Sequence, residues 1–221
     1  MEPTVSGVGV LDKSFAVLAL VTQAPCSLAE LVEGSSLTRA TAHRLALALE
    51  THGLLRRLSD GRFALGLNLV ALGRAATEQF PLAEAARAAL TELQQTTAES
   101  VQLYVRDGNN RVCILALESP HGLRTIVAVG AALPLDVGSA GRVLLGERAA
   151  TGWMQTVGER EAGVASVSAG VFGPYQELVA AVSVSGPIDR LSRSPGKRYG
   201  AEVLLAASKI ETALAALTSK Q

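Results

Sequence analysis

The sequence predicts an α/β chain of two domains, a small helical unit with a β-hairpin followed by a larger unit of strands flanked by helices. Three observations predict it. Helix signals with short breaks run over residues 10–51, an Asp-Gly turn between two apolar runs follows at once, and strand patterns dominate residues 100–185 before a last helical stretch. A chain of 221 residues suffices for one large domain or two small ones. With 48% hydrophobic and 18% charged residues, it can bury a core and is not of disordered composition.

Leu11, Phe15, Leu18, Val21 and Thr22 fall at helical spacing and predict a first amphipathic helix, which Ala24-Pro25 ends. Ser27-Leu28-Ala29-Glu30 reads as a capping box, with Glu30 reaching back to the amide of Ser27. The helix it opens is short, turns Leu28, Leu31 and Val32 inward, and breaks at Gly34-Ser35-Ser36. Thr38 caps a third helix to about Thr51, with Ala42, Leu45, Ala46 and Leu49 on its inner face and Gly53 as its stop. Residues 54–58 and 63–65 are apolar runs joined by Ser59-Asp60-Gly61-Arg62, a hairpin signal. Three helices and a hairpin make a winged helix-turn-helix.

Residues 67–80 read as a linker helix that Phe80-Pro81 interrupts, which divides the chain into 1–66, a linker at 67–81, and 82–221. A helix over 82–97 carries Leu82, Ala86, Ala89, Leu90 and Leu93 on one side. Strands are expected at 100–106, 111–118 and 125–129, separated by Asp107-Gly108-Asn109-Asn110 and Ser119-Pro120-His121-Gly122. A helix starts at Ser139 and runs through Leu145, a strand pair covers 164–171 and 178–185, and a helix over 201–217 closes an α+β domain.

Lys+Arg and Asp+Glu are equal at 20 each, so any signal for nucleic acid must be local. One is. Residues 36–62 hold Arg39, Arg44, Arg56, Arg57 and Arg62 against Glu50 and Asp60, a net +3 in a neutral chain. In a helix-turn-helix the second helix of the motif enters the major groove of double-stranded operator DNA. With the apolar face inward, Arg39 and His43 project together, flanked by Thr38, Thr41 and Arg44. Guanidinium suits guanine or phosphate, and hydroxyl and imidazole suit base edges or phosphate oxygens. Arg57 and Arg62 lie on the hairpin, where they reach the backbone or a neighbouring groove, and His52 packs or caps at the helix end. The bland alternative is a solvated basic face on a small interaction module.

The first ten residues lack a basic start and the apolar run at 15–21 is too short to span a bilayer, so a cytoplasmic protein without membrane contact is expected. Cys26 and Cys113 lie far apart without metal-ligand spacing, which predicts buried reduced thiols, no disulfide and no metal. No HExxH, P-loop or paired-carboxylate arrangement points to a cofactor or to catalysis.

Several segments resemble the IclR family of bacterial regulators. Leu11-Asp12-Lys13-Ser14, Thr41-Ala42-His43-Arg44-Leu45, His52-Gly53-Leu54 and Gly61-Arg62-Phe63-Ala64-Leu65-Gly66 are similar to its DNA-domain pattern. Ser139-Ala140-Gly141-Arg142-Val143-Leu144-Leu145, Gly163-Val164-Ala165-Ser166-Val167-Ser168 and the stretch from Val179 to Gly186-Pro187 are similar to its C-terminal domain, and the match covers about residues 8–215. The resemblance implies a GAF-like effector-binding domain, homodimers associating into homotetramers, and control of a metabolic operon by a small metabolite, a carboxylate or amino acid. By position it implies an effector pocket of Ser139, Ala140, Val164, Ser166, Ser183 and Ser185. Chemistry agrees: a helix start rich in small residues presents amide donors to an anion, and serines two apart point from one face of a strand. The bland alternative is that these hydroxyls bond one another or the backbone. Two departures stand out. Only residues 146–152 connect Leu145 to Trp153, where the family has a much longer stretch, and Thr156 stands where members often carry an acid.

Two rival functions are set beside this one. Ser139, His121 and Asp136 would have to assemble for a hydrolase, but Val137 breaks the G-x-S-x-G spacing, so no enzyme is expected. The other is a regulator whose C-terminal domain only oligomerises; aromatics at 4% and a set of serines make a modest recognition surface.

Overall fold

The computed structural model describes residues 6–78 and 81–218. The chain divides into two compact units, residues 1–79 and 80–221.

The first unit contains α1 (Gly9–Gln23), α2 (Leu28–Ser35), α3 (Arg39–Thr51), β1 (Leu55–Arg57), β2 (Phe63–Leu65) and α4 (Asn68–Glu78). Both halves of the capping box at α2 form: the Ser27 amide donates to Glu30 Oε2 at 2.7 Å and the Glu30 amide to Ser27 Oγ at 3.3 Å. The core joins Val17 and Val21 of α1, Leu31 of α2, Ala46 and Leu49 of α3, and Leu55 and Phe63 of the hairpin. On α1 Leu18 and Val21 lie on the core side as expected, while Leu11, Phe15 and Thr22 do not. Leu11 and Phe15 are exposed, Phe15 by 59%, because the helix meets α2 and α3 through Val17 and Val21, roughly a third of a turn away. Cys26, half-buried rather than buried, pairs with Phe63 through both backbone bonds, at 2.9 and 2.7 Å, and so pins the hairpin to the α1–α2 connection. After the hairpin the chain doubles back under α3: the Gly66 amide donates to Leu54 O at 2.9 Å, so close that a Cβ on Gly66 would overlap Gly53 O. The linker helix expected to Phe80 is α4 to Glu78, and its expected end lies outside the described residues.

The second unit opens with α5 (Pro81–Thr97) and builds one antiparallel sheet from β3 (Ser100–Asp107), β4 (Asn110–Leu117), β5 (Ala132–Pro134), β6 (Trp153–Val157), β7 (Val164–Phe172) and β8 (Leu178–Pro187), in the order β5-β4-β3-β8-β7-β6. The connections contain α6 (Ser139–Leu144) and α7 (Ile188–Leu191), and α8 (Pro195–Thr218) ends the unit. Strand alternation splits the sheet into two chemistries. Val101, Leu103, Val167, Val182 and Val184 join Leu90 and Leu93 of α5 and Val203 and Ile210 of α8 in the main core. On the other face Tyr104, Cys113 and Ala181 pack against Ala140, Val143 and Leu144 of α6. Buried Glu99 is paired through both its oxygens with the Arg190 guanidinium at 2.6 and 2.8 Å.

Four differences from the expected elements have physical causes. Residues 125–129 form no strand, because the edge of β4 is taken by residues 130–134 instead: the Gly130 amide donates to Cys113 O and the Cys113 amide to Ala131 O. β6 and α7 were not anticipated, being short and without strong periodicity. α8 begins at Pro195, suited to a first helical position, six residues before the expected start. Its glycines disguised it. Gly196 and Gly200 stand one turn apart and leave a groove that the Trp153 indole fills, and the Gly196 amide donates to Gln155 Oε1 at 2.8 Å.

Candidate functional site

The first surface is α3 and the hairpin. Ala42, Leu45, Ala46 and Leu49 are buried, as the spacing required, and this fixes which side faces outward. Arg39, His43 and Arg44 are exposed, with Thr38 exposed and Thr41 half-buried at the helix start. Thr38 is the N-cap: its Oγ1 accepts from the Thr41 amide at 3.3 Å and lies 2.9 Å from Thr41 Oγ1. The two threonines are therefore already employed in holding the helix start. His52 forms the C-cap, where its carbonyl accepts from the Asn68 side chain at 3.0 Å. Two hairpin arginines, Arg57 and Arg62, are engaged as well. Arg57 stacks over the Phe63 ring at 4.5 Å and lies 3.8 Å from Glu50. At the turn the Arg62 amide donates to Asp60 Oδ1 at 3.0 Å and its Nε to Oδ2 at 2.7 Å, and these bonds, the amide's first, hold the Asp60 carboxyl below its ordinary range. Arg39, His43 and Arg44 on the helix, with Arg56 on β1, are the basic groups of this surface left to solvent among the described residues.

The second site is a cavity of about 30 Å³ on the α6 face of the sheet, in the second unit. Ser139, Ala140, Val164, Ser166, Ser183 and Ser185 all line it, so all six positions singled out in the sequence converge there. Strand register explains the convergence: Ser166 sits opposite Ser185 and Ser168 opposite Ser183 across β7 and β8. The hydroxyls form a chain, Thr156 to Ser166 at 3.0 Å, Ser166 to Ser139 at 2.8 Å, Ser139 to Ser168 at 2.7 Å, and Ser168 to Ser183 at 2.9 Å. Ser185 donates to Gln102 Oε1 at 3.1 Å. Both readings of the serines hold at once, since they line the cavity and also bond one another. Two of the amides at the start of α6 are already taken: Gly138 donates to Glu159 Oε2 at 3.1 Å and Ser139 to Thr156 Oγ1 at 3.1 Å.

Sequence reasoning missed the cations here. Arg111 and Arg160 line the same cavity, as does Tyr104. Arg111 is only 3% exposed; its Nη1 donates to the carbonyls of Pro134 and Val137, and its guanidinium lies over the Tyr104 ring at 5.5 Å. Burial lowers its pKa, and burial pushes the Tyr104 hydroxyl up to about 12, so that group stays a proton donor. The signal was present: Arg111 falls in phase with Cys113 and Leu115, the buried positions of β4.

Ser139 has no histidine partner. Its hydroxyl bonds Ser166 and Ser168, while His121 is exposed on the connection after β4, so the residues of the hydrolase alternative do not assemble. Cys113 is buried, with its thiol pushed up to about 11 by burial, which leaves it an inert core group. No group of metal-ligating side chains forms among the described residues, and no described helix is long and apolar enough to cross a membrane.

Comparison with known proteins agrees with this architecture. Residues 10–59 match the family model for the IclR helix-turn-helix domain. Residues 74–151 and 145–212 match the model for the bacterial transcriptional regulator IclR C-terminal domain, in two segments that meet at the short connection before β6. The regulator KipR of Bacillus subtilis is 31% identical over 134 residues, 60% of this chain and 54% of that protein. The transcriptional repressor IclR of Escherichia coli is 23% identical over 251 positions, covering 96% of this chain and 92% of the repressor. An IclR homologue from Microbacterium hydrocarbonoxydans, solved in complex with 4-hydroxybenzoate, superposes with a TM-score of 0.76 at 20% identity, covering 92% of this chain and 99% of that one.

Proposed function

Because the chain belongs to the IclR family of bacterial transcriptional regulators, with its helix-turn-helix domain and its C-terminal domain both matched, we propose that it binds an operator through α3 and that a small metabolite in the α6 cavity modulates that binding. The observation that carries the first half is the outward set of Arg39, His43 and Arg44 on a helix whose opposite face is buried. Arg39 and His43 read base edges, Thr38 and Thr41 set the helix start against a phosphate, and Arg57 and Arg62 grip the backbone from the hairpin. The chain acts as a homodimer or homotetramer, so that two reading helices meet two half-sites.

The second half is supported by one cavity that gathers Ser139, Ala140, Val164, Ser166, Ser183 and Ser185. Its hydroxyls suit a carboxylate-bearing metabolite of amino-acid or organic-acid metabolism, and the ligand complex of the Microbacterium homologue is a precedent for that domain. Occupancy changes operator affinity only if the two DNA-binding states differ in affinity for the ligand, and residues 67–81 are the covalent route between the units.

The test is fluorescence anisotropy on promoter fragments at fixed salt, with fragments chosen by genome-wide binding. Sequence-selective binding that a metabolite shifts is the expected result. Equal affinity for all duplexes at low ionic strength overturns the operator half; tight ligand binding with unaltered operator affinity overturns the switch.

A further inference from the structure

The α6 cavity holds a charge that its hydroxyls do not answer. Arg111 is buried, makes no ion pair among the described residues, and its Nε finds no hydrogen-bond acceptor among them. Its Nη1 is spent on the carbonyls of Pro134 and Val137. That leaves the edge formed by Nε and Nη2, the side-on fork with which a guanidinium grips a carboxylate through two parallel bonds. Nη2 looks onto Gly138, where a Cβ would stand only 3.3 Å away, so the missing side chain keeps that edge open. Arg160 lines the same cavity, and among the described residues it pairs with an exposed carboxylate, Glu161, at 3.7 Å. None of the cavity's own side chains is acidic. Around Arg111 stand the Tyr104 hydroxyl and, without ion-pair contact, the carboxylates of Asp136 and Glu159. A buried cation so incompletely balanced is costly, and an anion that completes it recovers that cost on binding.

We propose that Arg111 is the charge anchor of this cavity and that the ligand is a small oxyanion, its carboxylate or equivalent group held on the Nε–Nη2 edge of Arg111. The small volume admits the anionic head group, with Ser183 and Ser185 on its flank and Arg160 on the other side. The proposal rests on reading this cavity as the effector site.

The test uses the full chain with oxalate as the probe and oxamide as its uncharged counterpart, by titration calorimetry and thermal melting at constant ionic strength. Wild type binds oxalate saturably and oxamide not at all. Arg111→Gln weakens oxalate binding by about tenfold or more. Arg111→Lys keeps the charge but loses the fork, so it still folds, as its cooperative melt shows, yet binds several-fold more weakly than wild type. Ser183→Leu, which fills the cavity, also abolishes binding. If Ser183→Leu abolishes binding while both Arg111 variants bind as wild type does, the anchor is overturned and the cavity reading stands. If the Arg111 variants lose binding and Ser183→Leu does not, the anchor stands and the cavity reading falls. Oxalate and oxamide bound alike, or neither bound, overturns the proposal.

Discussion

Ser168 and Ser183 face each other across β7 and β8, and the Ser168 hydroxyl donates to Ser183 Oγ at 2.9 Å at the buried end of the hydroxyl chain. Ser183→Ala removes that acceptor from a buried donor that keeps one other partner, Ser139, and is expected to cost about 0.5–1.5 kcal/mol of unfolding free energy by urea denaturation. Ser183→Leu is expected to end the response to metabolite while operator affinity, carried by the other unit, stays at the wild-type value.

Arg39 lies free on the outer side of α3. Arg39→Ala is expected to cost about 1–3 kcal/mol of operator binding and to relax preference at a single base pair, if the guanidinium forks onto a guanine. Competition anisotropy with single-base operator variants measures both; a uniform loss across all variants assigns Arg39 to the phosphates instead.

Arg62 is tied to Asp60, so its contact with DNA competes with an internal one. Arg62→Ala is expected to weaken binding equally on all sequences and to lower the slope of log affinity against log salt by about one. Asp60→Asn should act in the opposite direction by releasing the guanidinium. The pH dependence follows the same bond. The folded Asp60 carboxyl sits below its ordinary 3.8, so whatever it adds to the hairpin is fully present above that value and disappears as pH falls through the lower folded one. Melting of the first unit from neutral pH down to about that point is therefore expected to show no pH dependence from Asp60, whose contribution is constant there and is lost only at lower pH.

Gly66 passes against the backbone of Gly53, where the obstructing atom is a carbonyl oxygen and not a flexible side chain. Gly66→Ala is expected to destabilise the first unit by about 1–3 kcal/mol through forced backbone displacement, with the melting of the second unit unmoved. Calorimetry that resolves two transitions checks this.

The parts legible in the sequence were those with a local cause. The caps at Ser27 and Thr38 are written in the four residues that make them, and the inner face of α3 in a spacing with no competing pattern. On α1 the expected stripe holds at Leu18 and Val21 but not at Leu11 and Phe15, since only packing against α2 and α3 brings Val17 in and leaves those two out. The serines were legible because strand alternation is local; their meeting with Ser139 of α6 is a matter of topology. Arg111 shows the opposite limit. A lone arginine in a strand reads as solvated, and its burial depends on carbonyls of Pro134 and Val137, more than twenty residues away.

The chain has a single tryptophan, and it is the residue wedged between Gly196 and Gly200 of α8. Its emission therefore speaks for the second unit alone, undiluted by the reading helix and hairpin. Trp153 also begins the strand that carries Thr156, the residue in contact with both Ser139 and Ser166. A native optical reporter of how β6 seats on α8 is thus built into the fold, and it needs no dye, no label and no DNA.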